Sequence, residues 1–540
     1  MHHHERIQQP SHSNHQQRLA MLSNFSTSYN VVNIALVLPI LRILFPTERI
    51  QQDESFLASS LLVGMMLGQV LGGIMGDAMG RLRALRVVMI LQMVASFASA
   101  TWTSSWSSLA VWRFLLGVGA GGVYPLAAVL SAEQASSSSS SSNNKDDDLH
   151  RVVLTFATQG VGFWMAPAVG YLLLLTCSNL QIVWRLLLGL GALPGIVLFY
   201  LQWKVHKATT SWEASYPPEN EETPHLWQGG TPQTATTTTE PSSNTANSTT
   251  ENDSDGEETT VLDSTAEPDG LFDDRVHEQQ SWWESVRNEP QLVQKLLGTA
   301  ATWFLFDVLF YGNALFQPIV LEAAFGNAET NTLASLQLMA RNSLILASIA
   351  LPGYGVAAFL MGRSDIAFLP SQTPRYVMLQ GFACMAVLYG VIGVFWNALK
   401  RIHPSVLLLL YGSTFFFSNY GPNTSTFVLP SMVYSESCRS SLNGVSAAAG
   451  KFGAFTGASL FAPAAYQWGH AAVMLICAVV AVLSFFLTQA CVPSDYHAIT
   501  MVQEDDADDE MRVLDVPLAR NQEDEEQTTP ADGGVEVQEL

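Results

Sequence analysis

Charge is scarce in this chain. Only 13 % of its 540 residues are charged and 48 % are hydrophobic, which excludes an ordinary soluble protein of this size. Cysteine is scarce too. Cys177, Cys384, Cys438, Cys477 and Cys491 are scattered and odd in number, so neither a disulfide framework nor a metal site is expected. The opening MHHHERIQQPSHSNHQQRLA has no apolar core, which excludes a secretory signal peptide. His2, His3 and His4 belong to a polar arm of a composition that favours disorder over metal binding. Short alternating strands are missing, which excludes a membrane barrel. No nucleophile–base pair, nucleotide loop or metal cluster stands out, so no enzyme is expected. Neither a cofactor nor a nucleic-acid partner is expected.

Apolar runs are what the chain has in quantity. Runs of near-spanning length lie near 24–45, 55–77, 84–103, 107–133, 152–175 and 183–203. Six more lie near 292–321, 335–361, 375–398, 404–434, 441–463 and 470–491. The backbone must satisfy itself in lipid, so each run reads as a helix. The expected architecture is an all-α membrane protein with twelve transmembrane helices, monomeric, in two six-helix halves. The boundaries read as a disordered arm (1–23), a first half (24–203), a loop (204–290), a second half (291–491) and an acidic tail (492–540). The loop and the Ser136–Ser142 run cannot bury a core and read as disordered. Most of the net charge of -22 lies in polar segments. Arg81, Arg83, Arg86, Lys204, Lys207, Arg363, Arg375 and Arg439 fall on one side of this layout. They put both termini in the cytoplasm, most naturally at a plasma membrane.

The stretch from Tyr420 to Phe455 stands apart. It is apolar, yet it holds Lys451 between Gly450 and Gly453, after Ala447, Ala448 and Ala449. Lys451 lies about ten residues from the polar turn before its span, roughly 15 Å deep at 1.5 Å per residue. That is too deep for the head group to reach water, and a cation at such depth is rarely idle. Small neighbours let helices pack closely there.

Other motifs follow span by span. Span two carries Gly64, Gly68, Gly72 and Gly76 at a four-residue period, then Asp77, Gly80, Arg81 and Arg83. With the six-plus-six layout, this resembles the major facilitator superfamily, which implies a conformational latch between Asp77 and Arg81 and a substrate site between the halves at the midplane. Span four reads Gly121-Gly122-Val123-Tyr124-Pro125-Leu126, span five Gln159-Gly160-Val161-Gly162 and span seven TWFLFDVLFYG. Spans ten and eleven read GPNTSTFVLP and SAAAGK. These are similar to the inorganic phosphate:proton symporter family, and the resemblance covers both membrane halves. It implies phosphate and protons as the transported species, within a lipid bilayer.

The matched residues can also be read without the family. Trp303, Asp307 and Tyr311 recur at intervals of four and share a helix face. Tyr124, Gln159, Asp307, Asn423 and Lys451 come from five spans, at roughly 12–20 Å depth when counted from their cytoplasmic ends. Lys451 supplies a point charge for a tetrahedral oxyanion. Tyr124, Tyr311, Trp303, Gln159 and Asn423 supply donors. Asp307 donates a hydrogen bond to phosphate when protonated and repels it when ionised, so proton and phosphate favour each other. The plainer reading is that Asp307 and Lys451 pair only to hold the bundle together.

Two departures bear on the proton. Val123 stands where the family has an aspartate, and Thr27 and Asn30 stand at acidic positions of its first span. None of the three titrates, Asp77 lies beside Arg81, and Glu133 lies at the bundle edge. Proton coupling is therefore expected to fall on Asp307. The second latch, after Pro352-Gly353-Tyr354, decays to MGRSDIAFLP. The alternatives are transport of an organophosphate such as a glycerophosphodiester or another small organic anion, or a phosphate sensor on the same scaffold.

Overall fold

A computed structural model of the chain describes residues 12–133, 144–200, 282–325, 333–363 and 370–493. His2, His3 and His4, the Ser136–Ser142 run, most of the loop and nearly all of the tail lie outside them. Every regular element among the described residues is helical. Span one is His12–Val32 followed by Ile34–Leu44, span two Ile50–Met79, span three Arg81–Thr101 and span four Trp106–Glu133. Span five is Asn144–Thr176, and span six begins with Leu180–Gly189 and continues to Tyr200. Span seven is Leu292–Leu296, a π turn at Leu297–Ala301, and Thr302–Phe325. Span eight is Leu333–Leu360 and span nine Pro374–Val394. Span ten is Pro404–Ser418, a π turn at Asn419–Asn423, and Thr424–Val433. Spans eleven and twelve are Arg439–Trp468 and His470–Cys491.

Among the described residues, ten helices are long and apolar enough to cross a membrane. Spans ten and eleven fall short, and these two carry Asn423 and Lys451. Leu172, Leu483 and Phe486 are more than half exposed, whereas Ser23, Asn24, Thr27, Asn30 and Asn33 are sealed inside. Apolar side chains outward and polar ones inward is the arrangement a bilayer imposes.

Two ends depart from the sequence reading. Span one begins at His12, so residues 12–23 are helical rather than part of a loose arm. Leu19 and Ala20 join a buried cluster with Val88 and Leu126, and Asn24 Nδ2 donates to the Thr155 carbonyl at 3.0 Å. Residues 12–18, HSNHQQR, are all polar, so hydropathy does not mark this start of the helix. A short helix, Trp282–Asn288, also lies near the end of the expected loop.

The packing repeats with a period of six spans. Span two packs on four as eight packs on ten, three on four as nine on ten, and one on five as seven on eleven. Across the halves, span two meets eleven and span five meets eight. The two halves thus repeat one pattern. Close approach within the first half is made possible by glycine: a methyl at Gly68 would fall 2.1 Å from the Val118 carbonyl oxygen. Gly76 instead faces Leu126 and, across the halves, Ser440.

One end of the interface between the halves is tied shut. Asp77 accepts hydrogen bonds from the Ser440 and Ser441 amides at 3.2 and 2.8 Å, and from the Ser441 hydroxyl. It therefore caps the N-terminus of span eleven from the opposite half, where a carboxylate is favoured. Arg81 lies 3.3 Å from Asp77, donates to the Glu436 carbonyl at 2.8 Å and pairs with Glu133 at 3.0 Å. Glu133 also lies 3.9 Å from Arg439.

Candidate functional site

Span eleven carries Lys451 past span seven because three glycines let the helices touch. Methyls at Gly453 and Gly457 would overlap the Phe304 and Val308 carbonyl oxygens, and one at Gly450 would fall 2.5 Å from the Trp303 indole. Trp303 therefore lies flat on span eleven, beside Lys451. The next turn of span seven presents Asp307. Its Oδ2 accepts from Lys451 Nζ at 2.7 Å, with both side chains at most 3 % exposed. The Trp303 side chain also hydrogen-bonds Asp307. One turn on, the Tyr311 ring lies 4.4 Å from Lys451 Nζ, and the Tyr124 ring lies on another side at 5.5 Å. The cation is held by a carboxylate and two aromatic faces, the usual terms for a charge out of water.

A second group faces this one. Asn423 Nδ2 donates to the Tyr354 hydroxyl at 3.0 Å and to Asn419 Oδ1 at 2.8 Å. Gln159 Nε2 lies 3.4 Å from the same hydroxyl. Asn419 and Asn423 sit at the ends of the π turn, where Pro422 lacks an amide hydrogen. Thr424 Oγ1 donates to the Asn419 carbonyl at 2.6 Å. Such turns gather at functional sites, and span seven has one just before Trp303. Aromatic contacts join the two groups: Tyr124 meets Phe427, Phe427 meets Phe156, and Phe156 meets Tyr354.

All seven residues expected from the sequence lie in these two groups, drawn from both halves. Among the described residues, the Tyr124 hydroxyl and Gln159 Oε1 have no hydrogen-bond partner, although both are buried. Buried polar atoms are seldom left so, and these can serve a guest. Tyr354 was missed as a site residue. It is the hub of the amide group, and its only signal was its place beside Pro352 and Gly353 on span eight. Glu133 was missed in the latch. The three non-acidic positions are satisfied otherwise: Thr27 Oγ1 donates to Gln92 Oε1 at 2.9 Å, Asn30 Nδ2 to the Gly191 carbonyl at 2.8 Å, and Val123 is packed in the core.

A cavity of about 200 Å³ lies on the side of the site away from the latch. Its walls include Val31, Leu61, Phe163, Leu346 and Phe415, and Tyr311, Tyr354 and Asn419 also border it. Lys451, Asp307 and Tyr124 are not among the residues that line it.

The sequence profile described as Major Facilitator Superfamily matches residues 20–458. A probable inorganic phosphate transporter 1-12 of Oryza sativa subsp. japonica is 31 % identical over 411 residues, 70 % of this chain and 66 % of that protein. Low affinity inorganic phosphate transporter 4 of Petunia hybrida is 29 % identical over 374 residues, 65 % of this chain and 62 % of that one. A putative inorganic phosphate transporter of Schizosaccharomyces pombe is 29 % identical over 409 residues, 70 % of this chain and 64 % of that one. The chain thus spans 62–66 % of the length of these relatives. The proton:xylose symporter XylE, solved with a bound bromo-deoxyglucose, superposes with a TM-score of 0.59 at 13 % identity, over 89 % of this chain and 96 % of that one. It shares the fold.

Proposed function

We propose, for a chain that belongs to the Major Facilitator Superfamily, that it carries inorganic phosphate across a membrane by alternating access, with protons as the coupled ion. The observation that carries this reading is the buried Lys451, paired with Asp307 and surrounded by donors from both halves. The relatives' names support phosphate as the cargo. Tyr124, Gln159, Trp303, Tyr311 and Asn423 would orient the anion.

Charge explains why proton and phosphate would travel together. The Lys451–Asp307 pair is neutral when empty. A phosphate monoanion at Lys451 leaves the site at minus one, and a proton on Asp307 alone leaves it at plus one. Both together return it to zero. An unbalanced charge in a closed, dry site is strongly unfavourable, so the halves rock with both guests or with neither. The latch acts on the same helix: Asp77 caps span eleven at Ser440 and Ser441, about 16 Å from Lys451 at 1.5 Å per residue. The expected setting is the plasma membrane, with both termini cytoplasmic.

The apolar cavity walls favour one competing reading, an organophosphate whose organic part would sit among Val31, Phe163 and Phe415. Competition separates the two. In proteoliposomes, unlabelled phosphate is expected to displace radiolabelled phosphate from exchange, and a glycerophosphodiester is not. Strong displacement by the diester would reverse the assignment.

A further inference from the structure

Arg113 lies on span four with no exposed surface. Its Nη2 donates to the Asn30 backbone carbonyl at 2.8 Å and its Nη1 to Asn33 Oδ1 at 3.2 Å. Its Nε has no partner. Both acceptors are neutral, and no carboxylate among the described residues pairs with it. Lys295 and Lys451, also buried, each have one. A guanidinium stays charged throughout the ordinary pH range, so the first half holds a buried positive charge without a counter-ion. Such a charge is costly unless something balances it.

We propose that the transported anion balances it, which makes Arg113 a determinant of anion affinity that never touches the substrate. This rests on the phosphate reading above. Tyr124 follows Arg113 by eleven residues on the same helix, a separation of about 16 Å. The pair beside Tyr124 is neutral while Asp307 is ionised, so Arg113 supplies the net charge met by an anion that binds in the open site before the proton. At that distance and an effective dielectric near 20, one unit of anion charge gains roughly fivefold in affinity. The effect passes through the protein interior and is little screened by salt.

Asn33→Asp tests the idea, because Asn33 already touches the guanidinium. The lost amide donor reaches the Leu187 carbonyl at only 3.3 Å, and that carbonyl keeps the Tyr29 hydroxyl at 3.0 Å. The variant is expected to fold and to melt no lower than the unmodified protein. Calorimetric titration of the full chain with inorganic phosphate, at a pH where binding takes up no proton, should show Kd raised about fivefold or more. Arg113→Lys, which keeps the charge, should stay within about twofold. Unchanged Kd in Asn33→Asp overturns the proposal, and so does an equal loss in Arg113→Lys, which would mean that contact geometry matters and charge does not. If the unmodified protein binds no phosphate, it is the function proposed above that fails.

Discussion

Replacing Lys451 with alanine is expected to abolish saturable phosphate binding. The remaining donors are neutral, and hydrogen bonds from neutral groups do not offset the cost of drying an anion. One complication is visible in the structure. Lys451 is the partner of a buried carboxylate, and removing one member of such a pair costs about 3–5 kcal/mol. A Lys451→Ala protein that fails to bind could simply have unfolded. The double variant Lys451→Ala with Asp307→Asn separates these effects. It removes both charges, so its stability should return close to that of the unmodified protein. Its phosphate binding should remain absent. Thermal unfolding in detergent, read beside calorimetric titration, checks both halves. Saturable binding of unchanged affinity in the folded double variant would remove Lys451 from the site.

Asp307→Asn alone should split binding from accumulation. The amide can still accept from Lys451 and still donate to an anion, and the site gains one unit of positive charge. Phosphate binding is therefore expected to hold or strengthen. The variant has lost the group whose protonation follows occupancy, because no other site residue among the seven is an acid. It should exchange phosphate across proteoliposome membranes at a rate comparable to the unmodified protein. It should not concentrate phosphate when only a pH gradient is imposed. Accumulation by the Asn variant under those conditions would place the proton elsewhere. Absence of accumulation in the unmodified protein would make the chain a uniporter or tie it to another ion.

The sequence read some of this directly and left some hidden, for physical reasons. Trp303, Asp307 and Tyr311 could be grouped because helical periodicity places them on one face. Lys451 was conspicuous because charge is rare at that depth. The glycines of span two announced close packing without naming the partner: Gly68 meets span four while Gly73 meets Ser440 of span eleven. Pairing over long separations was legible only as an undecided alternative. Nothing in the sequence distinguishes a Lys451 that waits for substrate from one bonded to Asp307, since the two stand 144 positions apart. Tyr354 was hidden for a similar reason, as its partners Gln159 and Asn423 come from other spans. Arg113 sits near the start of span four, where the sequence alone marks nothing about its surroundings. Only the fold reveals that it is sealed against Asn30 and Asn33. The helical start at His12 was invisible because residues 12–18, HSNHQQR, are all polar and carry no apolar periodicity.

The most direct measurement is an experimental structure of the protein with inorganic phosphate bound. Phosphate is expected within hydrogen-bonding distance of Lys451 Nζ, with Tyr124, Gln159 and Asn423 among its other contacts. The Lys451–Asp307 contact, 2.7 Å in this structure, should be lengthened or shared with a phosphate oxygen. Phosphate bound elsewhere in the molecule, with the Lys451–Asp307 contact intact, would contradict the account.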